Sequence, residues 1–150
     1  MLKVYGVVRA DLLLGTTELV RIPASVAHRA GGQIVADADV SVVVLADHDL
    51  VNSDTWPWRE KSQGYVLASS APVSLLKNHL RGIRRLQDEE GRLRAWPWFD
   101  PRYLRLALSA LEGPALKALF GPIACFGLLH EGELELIEPD GHLARFRSVS

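Results

Sequence analysis

Asp47, His48 and Asp49 stand in a row just after a run rich in valine, Val40 to Ala46. Carboxylates beside an imidazole are the groups of acid–base chemistry and of metal binding. The end of a strand is also where α/β folds place such groups. Three consecutive side chains on an extended backbone alternate in direction, so they do not converge on one ion. No second ligand cluster stands nearby. Cys125 lies between Ala124 and Phe126 in an apolar run, which predicts a buried small hydrophobe and not a nucleophile. His79 sits beside an apolar helix face and reads as a locally satisfied histidine, while His28, His130 and His142 lie near turns. There is no phosphate loop with its lysine, no dinucleotide fingerprint and no G-x-S-x-G elbow. The expectation is therefore no catalytic residue, no cofactor, no bound zinc or nucleotide, and no enzyme. The alternative kept open is a small enzyme or ligand-binding domain, with a site near Asp47-His48-Asp49 or in a tryptophan-lined pocket.

The residues suited to binding another protein are more distinctive. All four tryptophans fall in two W-P-W triplets, Trp56-Pro57-Trp58 and Trp96-Pro97-Trp98. Exposed aromatics, joined by arginine, are the usual anchors of interfaces. In an extended strand Trp96 and Trp98 share a face with Arg94, a residue type rarely buried unpaired, so that face is expected to reach solvent. Trp56, Trp58, Arg94, Trp96, Trp98 and Arg102 are the candidate protein-binding residues. Lys77, Arg81, Arg84 and Arg85, with Arg92 and Arg94 beyond, give a basic helix face. With 17 basic and 18 acidic residues the net charge is −1. That leaves no surplus for neutralising phosphates, so the face reads as solvated and no nucleic-acid partner is expected.

These residues need a scaffold to position them. The chain has 150 residues, 48% hydrophobic and 23% charged. A chain of this size buries roughly 68–70% of its unfolded surface and forms one domain, residues 1–150. A single cysteine excludes an internal disulfide and fits a reducing compartment. No stretch approaches the roughly 18 apolar residues of a membrane span. The opening, Met1-Leu2-Lys3-Val4-Tyr5, runs straight into a strand pattern without the parts of a signal peptide. No membrane association is expected, and the cytoplasm is the expected location.

Along the chain, Lys3 to Val8 predicts a strand, and Pro23 to Arg29 a short helix stopped by Gly31-Gly32. Val40 to Ala46 reads as a strand covered on both faces. Asp47 to Gly64 reads as a loop and Tyr65 to Ala68 as a short strand. Ser69-Ser70 and Pro72 open a helix over Val73–Leu86, whose apolar face is Val73, Leu76, Leu80 and Ile83. After a turn at Asp88–Gly91, Arg92 to Phe99 predicts a strand that Pro97 confines to an edge or bulge. The Val73–Leu86 helix is expected to pack on a sheet holding Val40–Ala46 and Arg92–Phe99. Asp100-Pro101 is an N-cap followed by proline at the first helical position, with the helix running through Leu104 and Leu108 to Leu111. A short helix from Pro114 ends at Gly121-Pro122. Ile123–Leu129, Glu133–Ile137 and Leu143–Phe146 form an antiparallel meander joined by Glu131-Gly132 and Pro139-Asp140-Gly141. The fold class is α/β in the mixed α+β sense: one domain, a mixed sheet, packed helices and a C-terminal meander.

One stretch carries a resemblance. L-L-K-N-H-L-R (Leu75–Arg81) is followed by a D-x-x-G turn (Asp88–Gly91) and a segment ending W-F-D-P-R (Trp98–Arg102). A leucine-rich helix and F-G-P-I (Phe120–Ile123) complete the set. This order and spacing, over Leu75 to Ile123, is similar to the adaptor-chaperones of type VI secretion effectors, a family long labelled a domain of unknown function. Where those proteins read R-F-Y-D-P-R, this chain reads Trp96-Pro97-Trp98-Phe99-Asp100-Pro101-Arg102. The adaptor-like part is about 69–150. The resemblance implies a cytoplasmic protein that binds a toxic effector and helps load it onto the VgrG spike, without acting as an enzyme.

Overall fold

The computed structural model describes residues 1–12, 18–24, 29–30, 33–34, 38–58, 64–87 and 89–149. The strands are β1 (Lys3–Arg9), β2 (Val20–Ile22), β3 (Arg29–Ala30), β4 (Gln33–Ile34), β5 (Val40–Leu45) and β6 (Gly64–Ser69). They continue with β7 (Arg85–Gln87), β8 (Leu93–Ala95), β9 (Ile123–His130), β10 (Glu133–Asp140) and β11 (Leu143–Ser148). The helices are α1 (Val73–Ile83), α2 (Pro101–Ala110) and α3 (Gly113–Phe120). Seven strands form one sheet in the order β11-β10-β9-β6-β1-β5-β2. The class is mixed α+β, as expected. The sheet is not of mixed direction: each of its pairings is antiparallel.

The C-terminal meander forms as expected. Glu131 and Gly132 both take positive φ, 51° and 80°, in the two-residue turn between β9 and β10. Turns of that backbone shape match the twist of the strands they join. β9 pairs β6 with a register shift: Ala68 faces Cys125 while Ser69 faces Ile123. The bulge turns Ile123 and Phe126, three residues apart, to the same side of the sheet.

Both faces of the sheet are covered, as the valine run predicts. One face carries Tyr5, Val7, Val42, Tyr65, Leu67, Phe126 and Ile137, packed under Leu76, Leu80 and Ile83 of α1, Leu104 and Leu108 of α2, and Leu116 and Phe120 of α3. The opposite face presents Val4, Val8, Val43, Val66 and Leu134, and Trp56 and Trp58 lie on it. Gly6 stands between Val43 and Val66 in register. A Cβ at Gly6 would overlap the Trp58 indole, and so would one at Gly64. The two glycines therefore make the notch that the ring fills.

Three expectations are corrected. The strand read over Arg92–Phe99 is only Leu93–Ala95, and it pairs with β7 in a separate two-stranded sheet, not with the strand at Val40. Pro97 offers no N–H to a ladder, so pairing stops and the chain turns: Trp98 N–H donates to Trp96 O at 2.8 Å and Asp100 N–H to Pro97 O at 3.0 Å. The helix read to Leu86 ends at Ile83, because Arg85–Gln87 leaves it to form β7. Ser69 does not cap α1. It accepts from Ala71 N–H at 3.1 Å and donates to Pro122 O at 2.7 Å, while Pro72 occupies the cap position. The helix read over Pro23–Arg29 falls mostly outside the described residues, and its last residue, Arg29, belongs to β3.

Candidate functional site

The stretch Leu75–Ile123 builds α1, the β7–β8 hairpin, α2 and α3, and specific bonds tie these parts together. His79 on α1 reaches α3, where its Nε2–H donates to Leu119 O at 2.8 Å. Burial lowers the His79 pKa, against the opposing pull of that bond, so the neutral ring is favoured. The same ring lies where a Cβ at Gly121 would sit, and Gly121 has φ 50°. H-L-R and F-G-P-I thus meet in space, and glycine is required at their contact.

The third motif is a helix start. Asp100 accepts the Arg102 N–H at 2.9 Å, Pro101 is the first helical residue, and the Arg102 guanidinium returns to the Asp100 carboxylate at 2.8 Å. Asp100→Ala is expected to cost about 0.5–2 kcal/mol. Urea unfolding should show a lower midpoint at an unchanged slope. A midpoint equal to wild type would remove the cap from this account.

The tryptophans are not where an exposed W-P-W edge would put them. Trp56, Trp58 and Trp98 are 3%, 2% and 1% exposed. The turn after β8 carries Trp98 into the core among the helices, edge-on to Phe99. Trp96 is half-buried and its indole N–H donates to Ile83 O at 2.5 Å, closing the C-terminus of α1. Of the six candidate binding residues only Arg94 and Arg102 are exposed. Their tryptophan neighbours hold the fold together, because an indole is among the largest apolar surfaces a core can bury.

Asp47-His48-Asp49 is likewise structural in large part. Asp47–Leu50 forms a 3-10 turn, not an extended exit. Asp49 is buried, and its carboxylate accepts from Ala46 N–H at 2.8 Å and from the Thr55 hydroxyl. Its carbonyl accepts the Trp56 indole N–H at 2.6 Å. Asp49 therefore pins the loop that delivers Trp56 and Trp58 to the sheet. Exposed His48 lies 3.6 Å from that carboxylate. Among the described residues no group of three or more His, Cys, Asp or Glu is placed to hold a metal ion. Cys125 is buried as expected, and burial pushes its thiol up to about 11, which keeps it protonated at neutral pH.

Among the described residues, one surface that exposes large apolar side chains beside arginine is the outer side of α2. Leu104 and Leu108 face the core. Arg105 fixes the helix rotation, donating to Glu135 on β10 at 2.7 Å with its guanidinium 5.2 Å over the Phe146 ring on β11. Tyr103 and Leu106, one turn apart, then point outward at 47% and 64% exposure, beside exposed Arg102. Leu93 on the hairpin just upstream is also exposed. Tyr103 and Leu106 were missed as candidates, although they fall off the apolar stripe defined by Leu104 and Leu108. Two large apolar side chains on the wrong face of an amphipathic helix are the signal. No helix among the described residues is long and apolar enough to cross a membrane. Comparison with family models, with curated proteins and with solved structures finds no match in any of the three.

Proposed function

We propose that this chain is a cytoplasmic adaptor that binds a type VI secretion effector and helps load it onto the VgrG spike, contributing contacts and no chemistry. The observation that carries this reading is the outward stripe of α2, with Tyr103 and Leu106 in solvent next to Arg102. Tyrosine and arginine are enriched where proteins bind one another, and exposed apolar surface on a rigid helix gains most from being covered. The stripe lies within the same Leu75–Ile123 stretch whose ordered motifs are similar to the effector adaptors, and two of those motifs touch through His79 and Gly121. The docking mode is a helix face presented to a groove or a second helix of the effector.

The test is genetic. Deleting this chain in its host is expected to abolish delivery of the proposed effector, while the spike itself is still secreted. Effector delivery at the parental level without the chain would contradict the proposal.

A further inference from the structure

A second feature lies beside α3. α3 and the β10–β11 turn enclose a cleft of about 470 Å³. That volume is within the roughly 300–1,000 Å³ of small-molecule sites. Leu116, Phe120 and Ile123, all buried, form its floor, and Pro139 also lines it. The titratable groups lining it are Lys117 and His142, both exposed, and no Asp or Glu is among its described lining residues. The walls are fixed to one another: Gly113 N–H donates to His142 O at 2.7 Å, which ties the start of α3 to the turn. Behind the floor, the His79 ring backs Gly121.

The chemistry of these walls selects an occupant. An apolar floor favours an apolar body and penalises an unpaired charge set upon it. An ammonium and an imidazole at the rim favour an anionic head, and a carboxylate accepts charge-assisted hydrogen bonds from both. We propose that the cleft binds a small apolar carboxylate, its body on Leu116, Phe120 and Ile123 and its head between Lys117 and His142. This site is independent of the α2 surface and of the adaptor reading.

The experiment titrates the full chain with 4-phenylbutyrate and with the neutral 4-phenylbutanol, followed by amide NMR. Saturable shifts are expected around Leu116, Phe120, Ile123 and His142. The alcohol should bind about tenfold more weakly because it brings no negative charge to the ammonium, as should the acid to Lys117→Ala, which loses a hydrogen bond to a charged group. Lys117→Ala should weaken the alcohol less than it weakens the acid. Lys117 is exposed, so the variant keeps its fold. The proposal is overturned if millimolar probe gives no saturable shifts, if acid and alcohol bind equally, or if the shifts centre on Tyr103 and Leu106.

Discussion

Replacing Trp58 by alanine is expected to lower the stability of the domain by about 3–5 kcal/mol. Natural domains are stable by about 5–15 kcal/mol, so a loss of that size leaves a marginal fold. The indole fills a notch made by Gly6 and Gly64 and packs at 5.9 Å from Trp56, on a sheet face with Val43 and Val66. The ring itself fills the notch, so its removal leaves a cavity whose lining loses its contacts. The indole N–H has no hydrogen-bond partner among the described residues. Trp58→Phe should cost less than Trp58→Ala, because phenylalanine keeps most of the ring volume and no bond is lost with the nitrogen. The complementary change, Gly6→Ala, should destabilise by about 1–3 kcal/mol through overpacking against the same ring. Urea unfolding checks all three. Wild-type stability in Trp58→Ala would return this residue to the surface and to the list of partner contacts.

The second large effect concerns binding. Tyr103→Asp with Leu106→Asp is expected to weaken the effector complex by 2 kcal/mol or more, roughly thirtyfold. Both side chains point into solvent, so the substitution removes no core contact and the unfolding midpoint should stay near wild type. Arg105, between them in the sequence but turned toward the sheet, keeps its bond to Glu135 and holds the helix in place. Full effector affinity in the double variant would move the interface elsewhere, with Arg94 and Leu93 of the hairpin the next surface to change.

How legible this was in the sequence depended on distance along the chain. Local grammar carried well: Asp100-Pro101 starts α2, Gly121 stops α3, Glu131-Gly132 turns β9 into β10, and the valine run is a strand covered on both sides. Each of these is fixed by backbone conformation or by neighbours a few residues away. The sheet order was not legible. β6 and β9 are neighbours although the whole helical layer separates them, and nothing within either strand specifies that partner. The tryptophans failed for a related reason. The alternation that grouped Trp96 and Trp98 with Arg94 assumes an extended backbone, and Pro97 ends that backbone after Ala95. For Trp56 and Trp58 the missing fact was that a loop folds back over the sheet, pinned by Asp49 through bonds its sequence does not announce. Binding residues followed suit: with three of the indoles in the core, Tyr103 and Leu106 are among the large apolar side chains left exposed.

The most direct test of the adaptor proposal is the mass of the purified chain by light scattering after size exclusion, alone and mixed with the proposed effector. A stable heteromeric species is expected with wild-type chain, and its loss with Tyr103→Asp and Leu106→Asp, the variant remaining folded by circular dichroism. Separate elution of chain and effector at micromolar concentration would contradict it.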